Sequence, residues 1–466
     1  MINKVNIEEM KSRITLITAF FVAFVFSMKV QAQNPECNTN LSLFAADAKA
    51  GNYDGAYEPW KMVYETCPAL HYATYAYGER ILKHKIKNAT GAEKTNLLNM
   101  LLGMYDASLQ HFPAKFSKSS VAIDKVLLKQ ENNMITDDEI YEELNKAFTE
   151  DKENFKNPKA LYMYFSTLVD LHKAGKKELQ EVFDAYDNVT GKIEEENKAL
   201  TEVIGKLVEK EDTGTLTSKE KKTLESARTN GESFEKISSS IDSKLGQLAD
   251  CENLIPLYQK DFENKKTDAD WLRKAAGRMD SKDCTDDPLF IKMVEALHTL
   301  EPSAESAYYL GLLKDKARKG NEAIKYYNEA VGLQSDKYKK AKLLLKIASK
   351  YAKRGSKSTA RKYANEALAN NPSEGNAYLI LANIYGNSAN ECGSTTFEKK
   401  AVYWRAADMA RKAAQVDPSV RSKALDAARR YEGLAPSRTE IFTSGFEGKT
   451  ITFKCWIGGS VRVPKL

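Results

Sequence analysis

Small and large residues recur in a fixed order along the second half of the chain, and this order predicts antiparallel pairs of helices. Residues 306–333 carry the order in full, at Leu310, Gly311, Ala323, Tyr327 and Ala330. The small side chains allow two helices to approach closely, while the large ones fill the space between them. The pattern therefore predicts one tightly packed helical pair in this stretch.

The same order recurs in other parts of the chain. A second copy begins at Ala341 and has its matching positions at Ile347, Ala348, Tyr351, Ala360, Ala364, Ala367 and Pro372. A third copy, with an insertion around Cys392, has them at Tyr378, Leu381, Ala382, Tyr385, Ala406, Ala410, Ala413 and Pro418. A closing helix carries Ala424, Ala427, Ala428 and Tyr431. A fainter copy lies at Leu43, Gly51, Tyr53, Ala56, Trp60, Val63 and Pro68, and the pattern restarts at Tyr77 and Gly78.

This spacing resembles that of the tetratricopeptide repeat (TPR), a unit of about 34 residues that forms two antiparallel helices. The resemblance implies an α-solenoid that binds protein partners, because the first helices of successive units line a concave groove in such arrays. The resemblance also implies which residues face the groove. The groove positions of the family's repeat unit correspond here to Tyr308, Asp315, Lys342, Ser349, Asn376, Asn383 and Arg429, and Lys346 and Lys353 lie close by.

Residues 177–249 break the repeat and predict a long antiparallel helical hairpin. The first apolar seam consists of Leu179, Val182, Tyr186, Val189, Ile193, Leu200, Val203 and Leu207, and the second of Leu224, Ala227, Phe234, Ile241, Leu245 and Leu248. A helix over 177–210 is about 50 Å long, against about 20 Å for a repeat helix. The hairpin is expected either to project as an interaction arm or to pack within the array. A dimerising coiled coil is a third interpretation.

The pattern changes again at Thr439, after which apolar and polar residues alternate between glycines. This alternation predicts a short β-hairpin over about 449–463. The final segment is similar to the tail of exported TPR proteins from Bacteroidetes-type bacteria, which implies an envelope location. Taken together, the patterns predict an all-α, TPR-like α-solenoid with a long hairpin insertion and a β-hairpin tail. The predicted regions are a leader (1–32), a degenerate repeat region (33–176), the hairpin (177–249), a repeat array with a capping helix (250–438) and the tail (439–466).

The leader has the order of a secretory signal peptide. Lys11 and Arg13 precede a 15-residue apolar run, which is shorter than the roughly 20 residues that a transmembrane helix needs. Small residues at 30 and 32 predict cleavage between Ala32 and Gln33, with no transmembrane anchor afterwards. Initiation at Met10 would remove two acidic residues that are unusual in a leader. The product is expected to be exported, to the periplasm or the outer membrane.

Composition agrees with a helical, non-enzymatic protein. Charged residues make up 29% of the 466, and the formal net charge of +6 is too small to indicate a nucleic-acid partner. The sequence contains no GxSxG, HExxH, GxGxxG or P-loop motif, and its five histidines are scattered. No catalytic residue, metal or cofactor is therefore predicted.

Six cysteines follow the predicted cleavage site, and an even number in an exported chain favours disulfides over free buried thiols. Cys37 and Cys67 flank one predicted helical pair, and Cys251 and Cys284 flank another, so each pair of cysteines is expected to meet at the open end of its helices. Cys392 and Cys455 are the two cysteines that remain, so they are expected to form the third disulfide.

A basic run gives the second repeat copy an unusual charge. Between Lys337 and Asn365 there are eleven basic residues and no acidic one. Such a run is either a solvated face or a surface for an anionic partner. The leading hypothesis is a scaffold or adaptor for protein or peptide partners in the cell envelope, in an export or outer-membrane assembly. The alternative is a periplasmic protein that binds a small ligand or a glycan.

We expect the protein purified from fractionated cells to begin at Gln33. N-terminal sequencing measures this directly, because cleavage after Ala32 removes the whole apolar run. Recovery of a cytosolic protein that retains residues 1–32 would contradict the interpretation of the leader.

Overall fold

Helices form most of the regular structure in residues 35–246 and 248–466, which are the residues that the computed structural model describes. The predicted leader and its cleavage site at Ala32 and Gln33 lie outside these residues. No helix in the described part of the chain is long and apolar enough to cross a membrane. The described chain forms two compact units, one up to Ile135 with Lys146–Phe155, and the other made of Thr136–Asn145 and Lys156–Leu466.

Unit 1 consists mainly of consecutive antiparallel helices. They are α1 (Pro35–Ala50), α2 (Tyr53–Thr66), α3 (Ala73–Asn88), α4 (Gly91–His111) and α5 (Lys118–Glu131), and α6 (Asp137–Glu150) contributes residues to both units. Trp60 lies at the centre of the apolar core and donates a hydrogen bond from Nε1 to the Thr74 carbonyl over 2.7 Å. A side chain at Gly78 would begin 2.5 Å from that indole nitrogen, so only glycine fits there. The faint N-terminal pattern thus corresponds to a real helical contact.

Unit 2 contains the remaining helices and the two strands. The helices are α7 (Pro158–Lys173), α8 (Leu179–Asp212), α9 (Ser218–Gly246), α10 (Cys251–Lys265), α11 (Ala269–Ser281), α12 (Pro288–Leu300), α13 (Ala304–Lys316), α14 (Gly320–Leu333), α15 (Lys337–Lys353), α16 (Lys357–Asn370), α17 (Gly375–Gly386), α18 (Thr396–Val416), α19 (Arg421–Leu434) and α20 (Arg438–Ser444). The strands are β1 (Thr450–Thr452) and β2 (Ser460–Arg462).

The helical pairs α13/α14, α15/α16 and α17/α18 pack as the repeat pattern predicts, and α19 packs on α18 as a closing helix. In the first pair, a Cβ atom at Gly311 would lie 2.6 Å from the ring of Tyr327 and 3.3 Å from the Ala323 carbonyl oxygen. Ala323 and Tyr327 are themselves fully buried. The small residue therefore sets the distance between the two helices, and the resulting stack is TPR-like.

The hairpin packs against the rest of unit 2, so the projecting arm is the wrong alternative. Near its tip, Asp212 pairs with Lys412 over 3.2 Å and accepts a hydrogen bond from Gln415. Gly231 of α9 lies against Pro418, with no room for a side chain between them. The seam is also shared, because Val416 completes the cluster that α8 and α9 form with Ile204, Val208, Leu224 and Ala227. Contacts from outside the hairpin thus bury part of its seam, as expected for a hairpin that packs within the array.

The tail starts with a helix that the sequence analysis missed. Ser437 and Glu440 form a reciprocal capping box that begins α20, whereas the helical pattern was expected to end near Thr439. The predicted β-hairpin follows, and it is shorter than expected: β1 and β2 pair antiparallel with Ile451 opposite Val461. Both of these residues are buried.

Disulfides join Cys37 to Cys67, Cys251 to Cys284 and Cys392 to Cys455, which are the pairs that the spacing predicts. All six cysteines lie in the described residues, and none of them is free. The third bridge fastens the tail to the insertion in the last repeat. Arg361 supports this attachment by donating a hydrogen bond to the Trp456 carbonyl over 2.6 Å.

We expect Gly311→Ala to lower the free energy of unfolding by about 1–3 kcal/mol, because the added methyl group overpacks the contact with Tyr327. Gly332→Ala, in the partner helix, is the matched control. No atom lies within 4 Å of its new methyl group, so this change should raise stability by up to about 1 kcal/mol. Urea unfolding measures both values, and equal effects of the two substitutions would contradict the packing argument.

Candidate partner-binding groove

A groove with a volume of about 1320 Å³ runs across the repeat stack of unit 2. Its floor is formed by α13, α15, α17 and α19, which are the first helices of the successive units and the closing helix. Its sides include the end of α11 and, from the hairpin, Glu235 and Lys236 of α9. The groove therefore follows the first helices of the repeat pairs, and the hairpin forms part of its boundary.

Helix α15 shows why these side chains face the groove. Its buried residues are Ala341, Leu344, Ile347 and Ala348, which pack toward the other helices of the stack. Successive residues of a helix are separated by about 100°, so Lys346, Ser349, Lys350 and Lys353 fall on a different face. These four residues line the groove.

Asp280, at the end of α11, gives the groove a partly buried negative charge. Burial raises the pKa of its carboxyl group, and Lys346 and Lys350 oppose that shift. The Lys346 Nζ atom lies 3.9 Å from Asp280 Oδ2 and 5.5 Å from the centre of the Tyr308 ring. Lys346 is thus held at the groove by a carboxylate and an aromatic face.

The groove lining as a whole is mixed in chemistry. Its basic residues are Lys236, Lys346, Lys350, Lys353, Lys423 and Arg430, and its acidic residues are Glu235, Asp280, Asp283 and Asp426. Asn376 and Asn383 offer amide donors and acceptors, and Leu379 and Ile380 offer apolar contacts. A polypeptide presents all of these complementary groups within a few residues, which makes an extended peptide a chemically suitable occupant.

Most of the residues assigned from the TPR resemblance come together at this surface. Tyr308, Lys346, Ser349, Lys353, Asn376 and Asn383 line the groove. Asp315, Lys342 and Arg429 do not. Asp315 is buried inside the stack, where it accepts a hydrogen bond from the Tyr327 hydroxyl over 3.2 Å and pairs with Arg354. Its role in the structure is to hold helices together.

Lys342 lies at a different contact, between α15 and the loop before α17. Its Nζ atom is 2.8 Å from an oxygen of the buried Glu374 carboxyl group. Burial opposes the charge on Lys342, but Glu374 and Tyr338 outweigh that effect and raise its pKa. Arg429 does not itself line the groove but pairs with Asp426, an acidic residue of the lining, while the adjacent Arg430 lines the groove. An offset of one residue turns a helical side chain by about 100°.

The basic run of α15 and α16 is partly neutralised by other segments. Besides Lys342 and Lys346, Lys357 pairs with Glu391 over 2.5 Å and Arg354 pairs with Asp315. The continuous positive surface that the sequence allowed is therefore broken up. Lys350 and Lys353 remain as positive charges that line the groove.

Sequence reasoning missed the acidic side of the groove and the anchor of the hairpin. The anchor is Arg278, a buried residue of α11 that donates hydrogen bonds to the Tyr258 hydroxyl over 2.9 Å and to the Phe183 carbonyl over 3.1 Å. It also pairs with Asp187 of α8 over 2.5 Å. Burial raises the pKa of the Asp187 carboxyl group, and Arg278 counteracts this rise. Only the folded structure brings these residues together, since they lie far apart in sequence.

No protein-family model matches the sequence, and no curated protein is significantly similar to it. Among solved structures, a tetratricopeptide repeat protein from Parabacteroides merdae is 14% identical, with a TM-score of 0.24, and the match covers 66% of this chain and 97% of that one. Yeast Tom70 is 13% identical, with a TM-score of 0.26 and coverage of 86% and 77%. Because these scores are low, the assignment to the TPR-like class of helical-repeat proteins rests on the helix pairing described above.

We expect Arg278→Met to lower the free energy of unfolding by about 3 kcal/mol, because it leaves Asp187 partly buried without its counter-charge. Arg273→Met is the control on the same helix. Arg273 forms more exposed ion pairs with Asp270 and Glu301, and their loss should cost less than about 1 kcal/mol. Similar losses in denaturant unfolding would show that Arg278 does not anchor the hairpin.

Proposed function

We propose that this protein is a non-enzymatic scaffold that holds an extended segment of a protein partner in the groove of unit 2. The groove itself is the observation that carries the proposal. Its volume of about 1320 Å³ exceeds the roughly 300–1,000 Å³ of typical small-molecule sites. Its mixed lining also lacks the mainly apolar character of such sites, which favours a peptide over a small ligand.

The charges of the groove define the kind of segment that fits best. Lys350 and Lys353 lie one helical turn apart on α15, and Asp280 approaches from α11. A partner segment with acidic side chains would pair with these lysines, while a basic side chain would be attracted to Asp280 or Asp283. The proposed ligand is therefore a polar peptide with a predominantly acidic stretch that lies along α15.

We further propose that the scaffold acts in the bacterial cell envelope, in an assembly for export or outer-membrane biogenesis. The signal-peptide pattern of the leader supports this location. The disulfides support it as well, because such bonds persist in oxidising compartments and are rare in the reducing cytosol.

Site-specific photocrosslinking in living cells tests the proposal. A photoreactive residue at Asn383 in the groove should capture a protein partner, because this exposed position faces the proposed peptide. The same residue at Ser358, exposed on α16 outside the groove lining, is the control. Equal capture at both positions, or no capture at Asn383, would count against the groove.

We expect the double change Lys350→Glu and Lys353→Glu to weaken capture at Asn383 by at least about tenfold. The local charge then changes by four units, so the groove repels the acidic segment that it is proposed to attract. The matched control reverses Lys337 and Lys339, two exposed residues of the same helix outside the groove. Circular dichroism should show the same helix content for both variants. If the control weakens capture as strongly, net charge and not the groove determines binding.

A further inference from the structure

The C-terminal tail carries the most exposed large apolar side chain among the described residues. Phe442, on α20, has 76% of its surface accessible to solvent, and Phe446 follows it with 36% exposed. Gly445 between them adopts a left-handed conformation that ends the helix. Together these two rings give the tail an exposed apolar surface.

Phe446 is part of a small aromatic cluster at the surface. Its ring lies 5.7 Å from that of Phe397 on α18 in a stacked arrangement, and Phe397 in turn meets Trp404 edge to face at 6.0 Å. The cluster fixes this part of the tail on unit 2. Phe442 therefore lies four residues before a part of the tail that is fixed by packing.

Two basic side chains lie near the Phe446 ring or beside Gly448, the glycine that follows it. Lys449 lies 5.8 Å from the centre of the Phe446 ring, and Lys465 passes beside Gly448, within 3.8 Å of where a side chain there would begin. The outward face of the β-hairpin adds Lys454 and Arg462 and has no acidic residue. Residues 438–466 contain five basic and two acidic residues, a net charge of +3.

Both acidic residues of this segment are occupied by neighbours. Glu440 pairs with Lys400 of α18 over 2.6 Å, and Glu447 accepts a hydrogen bond from the backbone N–H of Leu466 over 2.9 Å. The donor to Glu447 is neutral, so this carboxylate keeps its negative charge, and the tail retains the net charge of +3 given by its five basic and two acidic residues. We define the tail surface as Phe442, Phe446, Lys449 and Lys465.

We infer that the tail surface docks on a membrane that contains anionic lipids. Aromatic rings favour the interface between headgroups and acyl chains, and lysines favour the negative potential above it. A protein partner would need its own acidic and apolar pocket to satisfy the same groups, whereas an anionic bilayer supplies both along one plane. The inference is independent of the groove and of the partner proposed for it.

Vesicle flotation with the full mature chain tests this inference. The protein should float with vesicles of phosphatidylcholine mixed with phosphatidylglycerol, and much less with phosphatidylcholine alone. Higher salt should weaken the binding, because salt screens the attraction between the lysines and the lipid headgroups. Equal flotation with both vesicles, or none with either, would overturn the inference.

Two variants connect the binding to the tail surface. Phe442→Ser should weaken it by about tenfold, since one aromatic side chain no longer leaves water. Lys449→Glu combined with Lys465→Glu should weaken it at least as much. The controls are Leu333→Ser, an exposed apolar residue on α14, and the reversal of Lys337 and Lys339. Unaltered binding of both tail variants, with native melting curves, would show that another surface is responsible.

Discussion

The close approach of paired helices at small residues is the constraint on which unit 2 depends. Gly311 touches the ring of Tyr327, and the same relation recurs where Gly386 meets Tyr431 in the closing helix. A helical pair of this size cannot bury its apolar face alone, so each pair is completed by its neighbour. The positions that bring two helices together therefore also determine how the next pair stacks. The groove is a consequence of that stacking.

The hairpin adds a second constraint. Where it packs against the rest of unit 2, charged arginine side chains lose contact with water and need partners. Arg278 fixes the base of the hairpin, and Arg228 fixes a region nearer the tip through two hydrogen bonds to Glu211 and one to the Gln415 carbonyl. Ion pairs and hydrogen bonds offset the desolvation of a buried guanidinium group. In both arginines the terminal nitrogens form these contacts, whereas the buried Nε atom has no hydrogen-bond partner among the described residues. Because these contacts are specific in geometry, they orient two helices whose apolar seams alone would allow several arrangements. This orientation brings Glu235 and Lys236 to the side of the groove.

The repeat and the site were predictable from the sequence to different degrees. The stack followed from local spacing, since a small residue and its large partner lie within one helical pair. Two of the cysteine pairs followed from the same local spacing, and the third followed by elimination. The packing of the hairpin depends on Pro418 and Val416, which are remote from it in sequence and carry no signal that marks them as its neighbours. Helix α20 had a recognisable capping box, Ser437 with Glu440, and the alternation after Thr439 obscured it.

Neighbouring lysines of one helix differ in how far the fold constrains them, and burial of the partner group decides this. Lys342 and Lys346 lie one turn apart on α15, yet the first is held by the buried Glu374 and the second is exposed at the groove. Removing Lys342 leaves the buried Glu374 carboxyl group without its counter-charge, which costs about 3 kcal/mol, whereas replacing a lysine that has no buried partner costs about 1 kcal/mol or less. Lys342 is therefore constrained by the fold. Lys350 and Lys353 have no such constraint, so under the proposed function differences in partner choice should arise from this face of α15.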